Sequence, residues 1–348
     1  MKRLLRVGIV GLGFGQNVHL PVFGTHPRCR VTALCARTPG KAARIAEQAS
    51  VPNAFSDWRR MIRSSEVDAV ALAVTPGLQA KIALAALRRG KHVFLEKPVA
   101  LADGQAEALH REAQKRKLAH AVDFEFCMTP AWIQARRMID GGRIGRLRHA
   151  VVNWNVESYA NRLRRATWKN EPAAGGGVLY AFGSHLFFNV EWLFGKIKRL
   201  WVGTGRAKDL PAGGETHLSG VIELRSGGVV TAQISTQAFM GNGHRWECYG
   251  ADGAMVLENR TGDYIRGFGL SYARRDQTKF RRVALREKGS RKASDGRIPA
   301  VYGVADRFVR RALGDKVSGY PTLAEGCRVQ KLLTAARTSV RRGGWVSV

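Results

Sequence analysis

The segment RVGIVGLGFGQNVHL, residues 6–20, joins a short apolar run to a glycine-rich turn. The apolar run predicts a buried strand, and the residues after the glycines predict the start of a helix. Such a strand–turn–helix lets bare backbone approach a dinucleotide pyrophosphate, with a helix N-terminus pointing at the phosphates. Gln16 occupies the place of the last glycine in the usual G-x-G-x-x-G motif, so a tight turn that binds nothing is the alternative. We predict a cofactor site that includes Gly11, Gly13, Phe14, Gly15 and Gln16.

Strand-like and helical segments alternate through the first third of the chain. The strand candidates after the glycine turn are RVTALCAR, DAVALAVT, KHVFLE and LAHAVDFEF, and the helical ones are KAARIAEQAS, KIALAALRRG and QAEALHREAQKRK. Nearly continuous apolar runs are typical of strands that are buried on both faces of a parallel sheet. The alternation with short connections predicts an α/β fold, in which residues 1–122 form a Rossmann-type doubly wound parallel sheet.

The remaining residues, 123–348, have a different pattern and are predicted to form a second α/β domain. RHAVVNWNVES, SGVIELRSG, GVVTAQISTQA and HRWECYGADGAMVLE are strand-like, often alternate apolar with polar residues, and are separated by turn residues. This pattern predicts a mainly antiparallel sheet. VADRFVRRALG and AEGCRVQKLLTAARTSVRR are predicted helices, and the polar, basic segment Leu285–Arg297 is a predicted mobile loop.

The end of the second predicted strand indicates which dinucleotide is bound. A carboxylate there would bind the ribose 2′-hydroxyl of NAD and repel a 2′-phosphate. The chain instead has Arg37 and Thr38, with Lys41 and Arg44 following. We therefore predict NADP as the cofactor, with NAD as the alternative, because Arg37 also fits the role of an ordinary surface arginine.

The stretch VFLEKPVA ends a further predicted strand with Glu96, Lys97 and Pro98. Ligands of an open parallel sheet bind beyond the carboxyl ends of its strands, so Lys97 is expected at the ligand crevice. Proline restricts the preceding backbone to extended values, which fixes where the lysine lies. A surface lysine in a turn is the alternative. We predict that the cofactor residues also include Thr75, Pro76, Glu96 and Lys97.

Composition limits the remaining function classes. The chain of 348 residues has 57 Lys and Arg against 27 Asp and Glu, a formal net charge of +30. This charge suits anionic partners, but the basic residues are spread along the whole chain, and no dedicated nucleic-acid module is visible. No apolar run is long enough to span a membrane. Five scattered cysteines and no cluster of metal ligands predict a reduced cytoplasmic protein without a metal site.

The stretch GGGVLYAFGSHLFFNVEWLFG, residues 175–195, completes a recognisable combination. With GLGFGQNVHLP, VDAVALAVTPG, the E-K-P stretch and YPTLAEGCRVQ, the chain resembles the glucose–fructose oxidoreductase/inositol dehydrogenase/rhizopine-catabolism (Gfo/Idh/MocA) family nearly end to end. The resemblance implies NAD(P)-dependent oxidation or reduction of sugars, polyols or related small molecules. It also implies an open sheet in the second domain, on which homodimers or homotetramers are built, and a Lys97–Pro98 peptide that is often cis. The catalytic residues that it implies are Lys97 and His185.

The helix that carries His185 departs from the family pattern. That pattern commonly places aspartates four residues before and three residues after the histidine, where this chain has Ala181 and Phe188. An aspartate four residues away would share one helix face with the imidazole. The neighbour that remains is Asn189, which can hydrogen-bond a ring nitrogen without stabilising an imidazolium by charge. Tyr180 and Tyr159 are candidate substitute phenols.

Three functions remain open at this point. The first is a working NADP oxidoreductase with altered site chemistry, in which Lys97 acts on the substrate oxygen and His185 exchanges a proton. The second is a dinucleotide-binding regulator or assembly partner without hydride chemistry, in which His185 is a core residue. The third is an enzyme that retains its cofactor and catalyses a different net reaction, such as an elimination with transient oxidation.

The segment NRLRRATWKN, residues 161–170, precedes the glycine triplet and is the candidate substrate loop. Guanidinium groups bind phosphates and carboxylates bidentately, so a sugar acid or a phosphorylated or nucleotide-linked sugar would fit. A solvated basic loop is the alternative. The substrate-binding residues that we assign are Arg164, Trp168, Lys169 and Asn189.

Overall fold

The computed structural model describes residues 4–210, 213–285, 293 and 295–348. Within them the chain forms two compact units, which are Met1–Met128 with Ser290–Gln330, and Thr129–Gly289 with Lys331–Val348. The prediction of a mobile loop at Leu285–Arg297 falls largely on 286–292 and 294, which lie outside the described residues.

The first unit contains a six-stranded parallel sheet in the order β3-β2-β1-β4-β5-β6. This order and the helices between the strands are those of a Rossmann fold, which confirms the predicted fold class. β4 is buried along its whole length, as its apolar sequence predicts. The strands are β1 (Leu5–Val10), β2 (Cys29–Cys35), β3 (Asn53–Phe55), β4 (Ala69–Leu72), β5 (His92–Leu95) and β6 (His120–Val122), and the helices are α1 (Leu20–Gly24), α2 (Lys41–Gln48), α3 (Trp58–Arg63), α4 (Pro76–Arg88) and α5 (Asp103–Lys115).

The second unit contains a nine-stranded sheet in the order β14-β13-β12-β11-β7-β10-β9-β8-β15. Neighbouring strands are antiparallel except β7 and β10, which confirms the predicted mainly antiparallel sheet. The helices are α6 (Pro130–Asp140), α7 (Tyr159–Arg162) and α8 (Ser184–Phe194), and the strands are β7 (Leu147–Asn155), β8 (Ile197–Gly205), β9 (His217–Leu224), β10 (Val229–Ser235), β11 (Gly243–Gly250), β12 (Gly253–Asn259), β13 (Gly269–Arg274), β14 (Arg281–Arg282) and β15 (Val346–Ser347).

The two C-terminal helices, α9 (Ile298–Ala312) and α10 (Leu323–Arg342), fall where helices were predicted. α9 contributes Val301, Val304 and Phe308 to the same hydrophobic core as Ile9 and Phe94 of the parallel sheet. The first unit therefore extends to Met128 and takes back the segment Ser290–Gln330, whereas the sequence prediction divided the chain once, after residue 122. The difference arises because α9 buries its apolar face against strands that are distant in the sequence.

Candidate active site

The glycine turn after β1 has the geometry that a dinucleotide requires. Gly11 has φ +93°, and a side chain there would collide with the backbone carbonyl of Ala73. A methyl group on Gly13 would instead meet no atom within 4 Å. Gly15 then starts a helical turn, Gly15–His19, that leads into α1. The turn thus presents an open backbone surface at Gly13, which is where a pyrophosphate would approach.

The other predicted cofactor residues lie at the same edge of the parallel sheet. Arg37 and Thr38 are exposed just beyond β2. Thr75 is the N-cap of α4, and Pro76 is the first residue of that helix. Both follow closely after Ala73, whose carbonyl faces Gly11. The carboxyl ends of β1, β2 and β4 thus bring together residues that are far apart in the chain.

A buried glutamine holds the E-K-P turn after β5. The Gln79 side chain donates to the carbonyl oxygens of Glu96 at 2.6 Å and Pro98 at 3.1 Å, and it accepts from the Glu96 amide at 3.0 Å. Gln79 is 1% exposed. The Lys97–Pro98 peptide is cis, as the resemblance implied. The backbone that carries Lys97 is therefore fixed on both sides by one side chain of α4.

Lys97 is surrounded by three acidic residues. Burial lowers the pKa of Lys97, which the charges of Glu125, Glu96 and Asp123 partly oppose. Burial raises the pKa of Glu125 to about 7, against the pull of the Lys97 ammonium. The guanidinium of Arg297 lies 4.8 Å from the centre of the Phe14 ring, and its charge lowers the pKa of Lys97 further and opposes the rise in the pKa of Glu125. This arrangement favours a lysine that gives up its proton more easily than a solvated one.

Glu96 and Asp123 form a carboxyl pair beside Lys97. Burial and the neighbouring charge of Glu96 raise the pKa of Asp123 well above its ordinary value. Burial opposes ionisation of Glu96 as well, but its hydrogen bond with His19, at 3.1 Å, and the charges of His19 and Lys97 hold its pKa below the ordinary value. Asp123 hydrogen-bonds Glu96. We infer that Asp123 carries the proton of the pair and Glu96 the charge.

The sequence analysis predicted no metal site, and the structure brings together three side chains that are able to ligate a cation. His19, Glu96 and Asp123 each offer a ligand atom, and these atoms lie within 4.8 Å of one another. Distance along the chain, from 19 to 123, hid the cluster. Glu96 hydrogen-bonds both His19 and Asp123, whereas His19 Nδ1 and Asp123 Oδ1 are buried without a hydrogen-bond partner among the described residues. We assign no metal to the three side chains.

The protonation of this pair leads to a first prediction. Asp123→Asn keeps a neutral hydrogen-bond donor, so its free energy of unfolding at pH 8 should equal or exceed that of the parent. Glu96→Gln removes the charge that faces His19 and Lys97, and should cost about 2–4 kcal/mol. Urea unfolding at pH 5 and pH 8 measures both variants.

The contributions of Asp123 and Glu96 to stability change in opposite directions as the pH rises. The raised pKa of Asp123 lowers stability as the pH rises above its unfolded value near 3.8, so the benefit of asparagine should be larger at pH 8 than at pH 5. Glu96 contributes stability above its unfolded value near 4.5 and loses it as the pH falls through the lower folded value. An Asp123→Asn protein that is as unstable as Glu96→Gln at pH 8 would contradict the assignment.

In the second unit, the glycine triplet anchors the candidate substrate loop. The Gly177 amide donates to the Lys169 carbonyl at 2.8 Å, and the Gly176 amide donates to the Glu171 carbonyl at 2.9 Å. Gly177 has φ +104°, and the Glu215 carboxylate occupies the space of its missing side chain. The turn that carries Trp168 and Lys169 is therefore fixed against the chain that enters α8. Trp168 is 40% exposed, and Arg164 is an exposed residue 3.9 Å from the equally exposed Asp209.

His185 is fully buried near the start of α8, and its ring partner is a tyrosine. Its Nε2 lies 2.9 Å from the Tyr264 hydroxyl. Trp154 also faces the His185 ring, with centroids 6.1 Å apart, and Phe182 packs against Trp154. The pairing was not predicted, because Tyr264 is 79 residues further along the chain.

The sequence analysis considered Asn189 as a partner of His185, and Tyr180 and Tyr159 as substitute phenols. None of the three has a hydrogen bond to His185 among those that the structure gives for the described residues. Asn189 is 1% exposed, and neither atom of its amide has a hydrogen-bond partner among the residues that the structure describes, so it does not bond His185. Tyr180 accepts a hydrogen bond from Arg337 at 3.0 Å, and Tyr159 is 66% exposed. Ala181 is half-buried one turn before the histidine.

Residues that the sequence analysis missed form much of the surroundings of Lys97 and His185. None belongs to a recognisable local motif, and each reaches its place through a contact with a distant segment. They are His19, Gln79, Asp123, Glu125, Tyr264 and Arg297.

Comparison with known proteins adds independent findings. A model described as "Oxidoreductase family, NAD-binding Rossmann fold" (GFO_IDH_MocA) matches residues 5–124, and the GFO/IDH/MocA C-terminal domain matches residues 132–256. The uncharacterised oxidoreductase sll0816 of Synechocystis sp. is 30% identical over 359 residues, which cover 99% of this chain and 96% of that protein.

Two further similarities concern levoglucosan dehydrogenase. The protein of that name from Pseudarthrobacter phenanthrenivorans is 26% identical over 386 residues, covering 99% of this chain and 98% of the relative. A solved structure of levoglucosan dehydrogenase in complex with NADH has a TM-score of 0.88 at 24% identity, with 99% of both chains covered, and shows the same fold. Among the described residues, no helix combines the length and apolar character that crossing a membrane requires.

Proposed function

Because the chain belongs to the Gfo/Idh/MocA family of oxidoreductases, we propose that it transfers hydride between NADP and a hydroxyl or carbonyl group of a sugar, a polyol or an anionic sugar derivative. The enzyme is an NAD(P)-dependent oxidoreductase with relatives that act on sugars. The observation that carries the proposal is Lys97, held by Gln79 at the carboxyl edge of the parallel sheet with its pKa lowered by burial. A lysine whose pKa is lowered releases its proton more easily than a solvated one, which suits general acid–base chemistry.

The glycine turn fits a dinucleotide. The open backbone at Gly13 and the helical turn from Gly15 would hold the pyrophosphate, with Phe14 and Gln16 beside it. Thr75, Pro76 and Glu96 would complete the cofactor site at the ends of β4 and β5. When bound, the nicotinamide accepts or delivers the hydride. The protein must then place the reacting carbon and move one proton.

Lys97 and His185 are the residues that we assign to that proton. In the oxidation direction, the neutral amine of Lys97 takes the proton of the substrate hydroxyl, and in reduction its ammonium donates to the carbonyl oxygen. His185 serves as a second proton donor or acceptor. The acidic surroundings of Lys97 support this role, because they stabilise its ammonium after the proton has arrived.

Arg37 is the residue on which the preference for NADP rests. Arg37 and Thr38 are exposed beyond β2, where a guanidinium and a hydroxyl would meet a 2′-phosphate. We expect NADPH to bind more tightly than NADH, and Arg37→Asp to reverse the order by like-charge repulsion. Fluorescence titration of both cofactors measures the dissociation constants.

Arg30, on the strand that precedes Arg37, provides a matched control. Arg30 is exposed near the other end of β2, so Arg30→Asp makes the same charge change away from the cofactor edge and should leave both affinities within about twofold. Equal affinities of the parent for the two cofactors would contradict the NADP proposal. If Arg37→Asp still favours NADP, the proposed contact is wrong and Lys41 or Arg44 takes its place.

Four residues of the second unit are proposed to bind the substrate. Trp168 and Lys169 lie on the turn that the glycine triplet anchors, and Arg164 is exposed close to them in the chain. Asn189 supports the assignment in another way, since its buried amide has no hydrogen-bond partner among the described residues, which is costly unless a ligand or water satisfies it. A carbohydrate with an acidic group would suit the amide and the cations together.

Oligomeric state and compartment complete the proposal. The strands β9 and β10 alternate between buried and half-exposed residues, so one face of the nine-stranded sheet is accessible to a second copy in a homodimer or homotetramer. All five cysteines are free and buried, which suits the reducing cytoplasm.

A further inference from the structure

Tyr264 lies on a short turn after β12 that is held by its own hydrogen bonds. The buried Asn259 accepts from the Thr261 amide at 3.0 Å and donates to the Asp263 carbonyl at 2.8 Å. The Asp263 carboxylate accepts from the amides of Ile265 and Arg266 at 2.9 and 2.7 Å. These bonds bracket Tyr264 on both sides, so the turn is ordered independently of the contact with His185.

The phenol reaches His185 from outside its helix. Its hydroxyl lies 2.9 Å from Nε2 of a ring that is fully buried, within the normal distance of a hydrogen bond. The family's usual carboxylate would approach from position 181 of the same helix, where this chain has alanine. In this chain the hydrogen bond to Nε2 of the histidine comes from a turn of another segment.

The chemistry of the two partners differs. A carboxylate only accepts, so it fixes a proton on the nitrogen that it faces and stabilises an imidazolium by charge. A phenol can donate as well as accept, and a neutral imidazole nitrogen is a good acceptor. When the phenol donates, Nε2 is unprotonated and the ring proton lies on Nδ1.

We propose that Tyr264 is the positioning residue of His185, and that its hydroxyl donates to Nε2 and holds the ring in one orientation with the proton on Nδ1. The inference rests on the proposed function, since it gives His185 its support for proton exchange. In this chain a neutral hydrogen bond replaces the charged pair of the family pattern. Orientation is retained, whereas stabilisation of the imidazolium by charge is not.

The test combines a substitution that removes one oxygen with a readout that needs no substrate. Protein labelled with ¹⁵N-histidine is examined by long-range ¹H–¹⁵N NMR, which distinguishes the two neutral tautomers, and His185→Asn assigns the signal. In the parent we expect His185 with its proton on Nδ1. In Tyr264→Phe we expect the signal to move to the other tautomer or to a mixture of both.

A second tyrosine of the same sheet provides the matched control. The Tyr272 hydroxyl donates to the Arg143 carbonyl at 2.8 Å, so Tyr272→Phe removes a hydrogen-bonded phenol without touching His185. It should leave the His185 signal unchanged. An unchanged signal in Tyr264→Phe, or a parent signal with the proton on Nε2, would overturn the proposal.

Turnover supplies the functional part of the test, with NADP⁺ and either levoglucosan or D-xylose as probes. For a probe that the parent oxidises, Tyr264→Phe should lower kcat about 10–100-fold with KM within about threefold, as expected when an oriented proton-transfer group loses its support. An unchanged kcat would overturn the positioning role. Absence of turnover in the parent counts against the proposed function alone, because the tautomer shift is measured without substrate.

Discussion

Lys97→Met is expected to lower kcat at least about 10³-fold and to leave cofactor affinity within about tenfold. The reason is that Lys97 exchanges the substrate proton, a contribution typically of 10²–10⁴-fold, and methionine keeps the length of the side chain without its amine. Steady-state kinetics with NADP⁺ and an accepted sugar, and fluorescence titration of NADPH, measure the two quantities. Loss of turnover and cofactor affinity together would instead assign Lys97 to holding the nicotinamide end.

The pH profile tests the same role in the parent. Because burial lowers the pKa of Lys97, its neutral amine is present above an inflection that lies below the ordinary value of 10.5. The rate of oxidation should therefore rise with pH through that inflection, and the rise should be absent from any residual activity of Lys97→Met. A parent rate that stays flat from pH 6 to 10 would contradict a proton-accepting lysine.

Lys91 supplies a matched control at the opposite end of the same strand. Lys91 immediately precedes β5. Its ammonium donates to the carbonyl oxygens of Val67 at 2.6 Å and Ser64 at 3.1 Å. Lys91→Met should lower the free energy of unfolding by about 1–3 kcal/mol, because two partly buried carbonyls lose a charged donor. Its kcat should stay within about twofold of the parent. The pair thus separates a lysine that stabilises the fold from one that takes part in the reaction.

Gly11→Ala is expected to destabilise the first unit by about 3–5 kcal/mol, since two penalties add at this position. The backbone has φ +93°, and the new methyl group would collide with the carbonyl of Ala73, which is backbone and cannot swing away. Urea unfolding measures the loss. A free energy of unfolding within about 1 kcal/mol of the parent would contradict the close contact between Gly11 and the Ala73 carbonyl.

Gly13→Ala separates the fold from cofactor binding. Its methyl group meets no protein atom within 4 Å, so the free energy of unfolding should change by less than about 1 kcal/mol. The same methyl group would occupy the space through which a pyrophosphate approaches, so the dissociation constant of NADPH should rise at least about tenfold. A Gly13→Ala protein that binds NADPH like the parent would place the phosphates elsewhere.

Local sequence patterns predicted the architecture of the two sheets, although not every strand. Continuous apolar runs such as Ala69–Leu72 predicted buried parallel strands, and alternation in segments such as His217–Leu224 predicted the antiparallel sheet. These signals are local because every residue of a strand meets the same kind of environment on each face. The edge strand Asn53–Phe55 was missed, since its three residues, none of them buried, carry no such signal. Strand β8 (Ile197–Gly205) was missed as well, although its burial alternates.

The parts of the site that lie on one short stretch were also predictable from sequence. The glycine turn, Arg37 after β2, Lys97 before proline and His185 on its helix depend on backbone geometry within a few residues. Their place at the carboxyl edge of a parallel sheet, or on a helix after a glycine triplet, follows from rules of local connection. Sequence alone therefore determined the family and the fold, and it supplied the principal functional residues that we propose.

The tertiary structure decided the partners of those residues. His19 meets Glu96 across 77 positions, and Tyr264 meets His185 across 79, so no local period or spacing could reveal either pair. Their meeting depends on strand order and on the burial that makes an unpaired polar group costly, both of which are properties of the folded chain. The missing aspartate at position 181 therefore suggested a histidine without support, whereas the fold supplies the phenol of Tyr264 from another segment.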